Sequence, residues 1–420
     1  MITAAGFLLL MFVGVPIGLC LCLAGVIYIL AIDSPVLFQT FPVQMFTAVD
    51  SYGLIAIPLF ILIGEVMNGG GITHRIVAMA MAFVGAMRGG LAYVNILANM
   101  FVASILGSAT AQVAVMSQIM TPQMHRKGYD LPFAAGLTAY AGMLGSITPP
   151  SIMLIVYSVL AQVAVSDMML AGLLPGLALV VLFCILTALL GFVHQYPMGD
   201  KLPWRERVRI ILGSIPTLII PIVIVGSIIT GVANPTEAAA VGAVIAILIG
   251  RFWTRELKFS MLPQMLTRAG IFSGIILFLV AAAGVFSWVL IFGKVPHLVA
   301  TWLQQVATGP ISFMLLTNLL LLLIGTVIDG IPGLIMTVPI LLPIATDIYG
   351  IDPRHFGVVV TVNLVLGLLS PPVGLCLFIA SAVTGANVGK IFMRTLPYFF
   401  VTCILLVLLS IFPSLSLGLF

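Results

Sequence analysis

One pattern occurs twice in this chain, and that constrains its fold more than anything else. Gly71 pairs with Gly293, Gly128 with Gly350, Asp130 with Asp352, Gly145 with Gly367, Pro149-Pro150 with Pro371-Pro372, and Pro175 with Pro397. Every pair is 222 positions apart, with no gap needed. Such regularity makes residues from about 64 to 175 and from about 286 to 397 two copies of one structural unit. Any fold for this chain must hold that unit twice.

The solvent of the unit follows from composition. A soluble domain carries roughly a quarter charged residues, whereas here 62% of 420 residues are hydrophobic and 7% charged, with a mean hydropathy of +1.30. So few charges cannot cover a water-exposed surface, so lipid must solvate most of the chain. About 20 apolar residues cross a bilayer as a helix. By that rule full crossings are expected near 2–31, 52–69, 131–164, 167–195, 208–232, 235–253, 269–292, 353–384 and 388–417. The first apolar run has no basic leader and is too long for the core of a signal peptide, so it reads as a retained helix. Two more apolar stretches, 90–127 and 310–348, break in the middle at Gly107-Ser108 and at Asp329-Gly330-Ile331-Pro332-Gly333. These read as re-entrant helical hairpins. Segments 72–88 and 295–309 are shorter and read as amphipathic arms on the two surfaces. The fold class is thus an all-α polytopic membrane protein, one integral domain over 1–420, with scaffold helices expected at 1–69, 167–292 and 388–417.

Basic residues orient it. With the N-terminus inside, the inner loops and helix ends hold Arg75, Arg88, Arg126, Lys127, Lys201, Arg205, Arg207, Arg209, Arg251, Arg255, Lys258, Arg268, Lys390 and Arg394, and the outer ones hold Lys294 and Arg354. That asymmetry is the positive-inside signature, and it accounts for the net charge of +4 without nucleic-acid binding. It also puts the base of the first hairpin inside and that of the second outside, so the two copies are inverted. Inverted repeats with discontinuous helices are a common plan for transporters that bind near the midplane.

The chemistry is expected at the interruptions. Each copy has a broken helix, Gly145 to Ser151 (GSITPPS) and Gly367 to Gly374 (GLLSPPVG). Prolines free backbone carbonyls, and at membrane depth these need a wet cavity, protein cover or a bound ion. Freed carbonyls with the Thr148 and Ser370 hydroxyls form an oxygen shell suited to a hard cation such as Na⁺, and the half-helix N-termini beyond Pro149 and Pro371 suit an anion. The plainer alternative is a simple proline kink; recurrence of the motif in both copies beside a hairpin favours a site. Asp329, an acid at membrane depth, reads as a functional residue, with a helix cap facing a water-filled crevice as the alternative; with Ser108, at the first tip, it joins the candidate Na⁺ ligands. Gly107, Gly330 and Ser151 flank them. Glu237 sits at the third position after Asn234-Pro235, the spacing of a capping box; Asp130 and Asp352 read as helix caps; Glu65 stays undecided.

Enzyme motifs are missing: there is no G-x-S-x-G, H-E-x-x-H or Walker A, and Gly385 to Lys390 (GANVGK) is one residue short of the last. Five cysteines (Cys20, Cys22, Cys184, Cys376, Cys403) lie in apolar runs with no C-x-x-C spacing, so neither a disulfide framework nor a cofactor or resident metal is expected. Coupling to an ion gradient remains as the energy source.

Several long stretches resemble one family, the large membrane subunit of TRAP (tripartite ATP-independent periplasmic) transporters, of the DctM/SiaM type. They include NGGGITHRIV (68–77), LGSATAQVAVMSQIMTPQMHRKGYD (106–130), LGSITPPSI (144–152), NPTEAAAVGAV (234–244) and PILLPIATDIYGIDPRHFGVVVTVNLVLGLLSPPVGL (339–375). The resemblance implies an inner-membrane protein and an elevator mechanism. It implies Na⁺-coupled uptake of organic acids such as dicarboxylates or sialic acid, a separate small four-helix membrane subunit (DctQ/SiaQ-like) and a periplasmic substrate-binding protein (DctP/SiaP-like). Carried over by position, the ion and substrate region falls on Ser108, Thr148, Ser151, Asp329 and Ser370, with Glu237 as a further functional acid. Two departures stand out: the first tip reads Leu106-Gly107-Ser108-Ala109 where the family often has S-G-S-A, and Gly330-Ile331-Pro332 follows Asp329. A stand-alone Na⁺- or H⁺-coupled organic-anion carrier is the nearest alternative. A membrane-embedded enzyme would need clustered carboxylates or a nucleophile–base pair, which the sequence lacks.

Overall fold

A computed structural model describes residues 2–194, 196–198 and 203–420; Lys201, counted above for orientation, lies outside the described residues. Regular structure is helical throughout, in chain order α1 (Ile2–Phe12), α2 (Ile17–Ala31), α3 (Thr40–Val49), α4 (Ala56–Gly69), α5 (Ile72–Val84), α6 (Gly90–Leu106), α7 (Ala109–Arg126), α8 (Leu131–Gly142), α9 (Ile152–Leu160), α10 (Val165–His194), α11 (Trp204–Ile229), α12 (Pro235–Leu248), α13 (Leu262–Phe292), α14 (Val295–Val306), α15 (Pro310–Gly325), α16 (Gly330–Pro343), α17 (Pro353–Gly367), α18 (Leu375–Thr384), α19 (Val388–Ile411) and α20 (Ser414–Leu417). Among the described residues seven helical stretches are long and apolar enough to cross a bilayer. One of them, Gly330–Ile348, is a hairpin leg.

The two copies are visible element by element. Arm α5 leads into hairpin α6–α7 and broken helix α8–α9; arm α14 leads into hairpin α15–α16 and broken helix α17–α18. Arm and hairpin meet sharply, α14 and α15 at 115°. The copies also run in opposite directions. Asp130, just before α8, pairs with Arg394 near the start of α19 (3.1 Å), so the base of copy one lies beside the far end of copy two. At the opposite end the Tyr157 hydroxyl, late in α9, donates to Pro353 O (2.5 Å), and Arg354 approaches Asp167 (3.9 Å). Copy two starts where copy one finishes, which is inversion. The inward-reading basic residues gather at one end: Arg207 donates to Phe83 O (3.2 Å), Ser214 to Arg75 O (3.1 Å), and Arg268 pairs with Glu65 (3.6 Å).

Two expectations are corrected. Residues 2–31 do not form one crossing. Gly14, at φ +86°, and Pro16 interrupt the run, and α2 folds back along α1 so that a Cβ on Gly6 would stand 2.9 Å from Ile27 Cδ1. The run's two ends therefore lie at the same end of the molecule. The last turn of α2 packs by Tyr28 on Phe292 at the end of α13 (6.3 Å between rings), the outer end, so the N-terminus belongs outside rather than inside. No Lys or Arg precedes Arg75, so the orientation of everything after this hairpin is unaffected. Secondly, Asp130 occupies the N-cap position of α8 but makes no capping hydrogen bond; its carboxylate pairs with Arg394 instead. Asp352 does cap, accepting from Arg354 N (2.8 Å).

Close helix approach depends on one glycine pair above others. A Cβ on Gly367 would lie 2.5 Å from both C and Cα of Gly325, so α15 rests backbone to backbone on α17. Neither chain can yield by turning a side chain. Gly367→Ala is therefore expected to destabilise the protein by about 1–3 kcal/mol, the usual range for overpacking, read as a lowered melting temperature in detergent.

Candidate functional site

The hairpin tips meet. Gly107, Ser108, Ala109 and Thr110 from the first and Asp329, Gly330 and Ile331 from the second line one small cavity, closed by Ser146, Met153 and Leu368 of the broken helices. Its volume is about 20 Å³. Since one water needs roughly 10–15 Å³, this conformation has room for an ion or a water, not for an organic acid.

Each tip is built by a helix start. In the first, Gly107 takes the left-handed conformation (φ +60°), with a would-be Cβ 3.1 Å from Pro150 O. Only glycine is comfortable there. Its carbonyl accepts from Ile152 N (3.1 Å), and Ala109 N donates to Ser146 Oγ (2.9 Å). The tip is thereby stitched to both sides of the break in α8–α9. Ser108 begins α7 but does not cap it; its hydroxyl instead lies 3.1 Å from that of Thr110. In the second tip Asp329 caps α16, Oδ1 accepting from Gly330 N (2.8 Å). Among the described residues no Lys, Arg or His pairs with it, so a half-buried carboxylate faces the cavity without a countercharge. A Cβ on Gly330 would stand 2.8 Å from Met153 Sδ, showing how tightly α9 reaches across to the second tip.

The broken helices place the remaining residues. Both Pro-Pro bonds, Pro149-Pro150 and Pro371-Pro372, are cis. Thr148 Oγ1 donates to Leu144 O, and Ser370 Oγ to Leu366 O (2.9 Å), equivalent bonds one repeat apart. Both residues are buried beside the tips but outside the cavity lining. Thr148 turns its methyl to α10, where a Cβ on Gly176 would lie 2.6 Å from it. Ser151 donates to Ser146 O (2.5 Å) and accepts from Leu154 N (3.3 Å), bridging two strands of the break. The second copy has valine at the equivalent position 373 and closes the same gap by backbone alone, Cys376 N donating to Leu368 O (2.9 Å). Pro149 faces an apolar crevice against α10 and α11, whereas Pro371 is exposed.

Ser108, Gly107, Asp329 and Gly330 are thus brought together at one cavity; Thr148, Ser151 and Ser370 buttress it. Glu237 is elsewhere, at the start of α12, where its Oε2 accepts from Asn234 N (3.0 Å) and its own N–H donates to Asn234 Oδ1 (2.9 Å). This is the reciprocal capping box its spacing suggested. Ser146, Thr110 and Met153 were missed from sequence. Ser146 could have been found from its place inside the GSITPPS break; Met153 carries no local signal.

Comparison with known proteins follows the same lines. Residues 4–415 match the family described as "Tripartite ATP-independent periplasmic transporter, DctM component". Relatives include the C4-dicarboxylate TRAP transporter large permease protein DctM of Pseudomonas aeruginosa, 36% identical over 94% of this chain and 92% of that one. The sialic acid TRAP transporter large permease protein SiaM of Vibrio cholerae is 32% identical over 98% and 96%, and the 2,3-diketo-L-gulonate large permease YiaN of Escherichia coli 32% over 96% and 94%. Among solved structures, the YdaH transporter of Alcanivorax borkumensis shares the fold, with a TM-score of 0.61 and 14% identity over 91% of this chain and 88% of that one.

Proposed function

The chain belongs to the DctM component family of the tripartite ATP-independent periplasmic transporters, and is therefore a multi-pass inner-membrane transport subunit rather than an enzyme; from that premise we propose that it imports a small organic acid in symport with Na⁺. The observation that carries the sodium reading is the cavity between the tips, ion-sized and lined by the Asp329 carboxylate with the Ser108, Thr110 and Ser146 hydroxyls. Hard oxygen ligands of this kind suit an alkali cation, and a carboxylate at membrane depth without a protein countercharge needs a positive guest. The substrate class rests on the relatives: C4-dicarboxylates, sialic acid and 2,3-diketo-L-gulonate have in common a carboxylate on a small polar body. The N-termini of α7, α9, α16 and α18 converge on the tips, and such ends favour anions. In this arrangement the cations bring positive charge to a site that the acid then enters once the tips part.

The mechanism is an elevator. The hairpins and broken helices form one body, and α10 and α19 belong with it: α10 packs on α9, α17 and α19, and α19 on α8 and α17. On this reading both helices join the mobile side, although the division drawn on sequence has 167–292 and 388–417 as scaffold. Helices α1–α4 and α11–α13 remain as the frame, and α5 and α14 join frame to body. A secreted binding protein delivers the acid and a small membrane subunit completes the assembly.

Uptake into proteoliposomes tests this. An inward Na⁺ gradient is expected to drive accumulation of a carboxylate only when the small subunit and binding protein are both present, and replacing Na⁺ by K⁺ is expected to remove it. Uptake without any binding protein would favour the stand-alone carrier; uptake indifferent to Na⁺ would overturn the coupling.

A further inference from the structure

Three amide side chains run in line through the first hairpin, all facing the same way. Asn95 Nδ2 donates to Thr138 Oγ1 (2.7 Å). Asn99 Nδ2 donates to Asn95 O and Oδ1, both at 2.8 Å. Gln112 Nε2 donates to Asn99 O (2.7 Å) and Oδ1 (2.9 Å). All three residues are fully buried. The direction of the line is set at its far end, where the Thr138 hydroxyl gives its proton to Ala134 O (2.8 Å) and so must accept from Asn95. Each amide is then obliged to send its NH2 backward and its oxygen toward the tip. The final oxygen, Gln112 Oε1, is buried and has no partner among the described residues.

Aligned hydrogen bonds polarise one another in a low-dielectric interior, so the negative end of the relay accumulates at Gln112 Oε1. That atom lies beside the first break. A Cβ on Gly145 would stand 2.4 Å from it and 3.1 Å from Ser108 O, so glycine at 145 lets a side-chain oxygen and a tip carbonyl converge on one spot. The second copy has a different relay: Asn363 Nδ2 donates to Asn318 Oδ1 (2.6 Å) and Asn318 Nδ2 to Ser410 Oγ (2.8 Å), leaving Asn363 Oδ1, on α17 and outside the cavity lining, as its end without a partner among the described residues. It does not use the equivalents of the three amides. Positions 222 later are Thr317, Leu321 and Leu334, and the second tip carries Asp329 where the first has Gly107.

We propose that Gln112 Oε1 is a cation ligand of the first tip, a neutral acceptor polarised through Asn99 and Asn95, and that it serves this tip as the Asp329 carboxylate serves the second. The proposal rests on the reading that the tips bind the coupling cation. In the conformation described, the oxygen is sealed against Gly145; it gains its partner when the Ser108 turn shifts to admit a dehydrated ion.

The test is the Na⁺ dependence of melting temperature for the purified full chain, without substrate, at constant ionic strength made up with choline. Wild type is expected to be stabilised by Na⁺; if it is not, the cation reading itself falls, and the proposal with it. Given that response, Gln112→Met is expected to raise the Na⁺ concentration for half-maximal stabilisation at least tenfold; the melting temperature in choline alone also falls, because Asn99 Oδ1 loses its buried donor. Gln112→Asn, which keeps an amide but withdraws it by one methylene, is expected to do the same, and it decides the matter if the methionine variant does not fold. A uniform drop in melting temperature with the wild-type Na⁺ midpoint would mean that Gln112 only holds the hairpin together, and would overturn the assignment.

Discussion

Asp329→Asn is expected to lower sodium-driven uptake at least a hundredfold while leaving the protein folded. The two effects separate because the side chain has two jobs. One oxygen caps α16 through Gly330 N at 2.8 Å, and asparagine caps about as well as aspartate, so stability should move by no more than about 0.5 kcal/mol. The other job needs charge. Across 4 Å at an effective dielectric near 20, a carboxylate and a cation attract by about 4 kcal/mol, close to a thousandfold in affinity. Nothing nearby replaces that charge, since among the described residues no other acid lines the cavity. Uptake in proteoliposomes and melting temperature, measured on the same preparation, check both halves. Wild-type uptake from Asp329→Asn would remove this residue from the cation site and leave the hydroxyls and carbonyls to hold the ion unaided.

The architecture was open to reading from sequence wherever a local signal recurred. Two hairpins, two arms and two broken helices all appear at the repeated positions, because glycines and prolines that break a helix do so through their own backbone. The misreading of 2–31 had the same kind of signal, Gly14 and Pro16, but apolar length was allowed to outweigh it. What stayed illegible depended on partners distant in the chain. Asp130 looked like a cap until Arg394 appeared beside it. Ser151 and Thr148 looked like ligands because their hydroxyls are polar groups at membrane depth; in the fold those hydroxyls satisfy Ser146 O and Leu144 O. Ser146 and Gln112 had no such advertisement. Their importance comes from what tertiary packing places against them, the first tip and Gly145, and no spacing rule encodes that.

The proposed division into frame and mobile body yields the second large effect. At the outer end the two parts are incompletely packed, leaving a cleft of about 580 Å³ with Gln44, Asp50 and Trp288 on the frame side and Ser158 and Gln162 on the body side. At its edge they touch: a Cβ on Gly53, ahead of α4, would stand 2.8 Å from Val165 Cγ2 at the start of α10. The two Cβ positions are then about 4 Å apart, within the span of a disulfide. A body that slides against the frame must separate these residues, whereas one that only opens its tips leaves them together. With Gly53→Cys and Val165→Cys combined, oxidation is therefore expected to bring uptake to background and reductant to restore it, while each single variant transports before and after oxidation. The five native cysteines are buried or half-buried, and the single variants control for their oxidation. Should the crosslink form quantitatively and uptake continue, the frame and body would have to move as one, and transport would have to proceed by the tips alone.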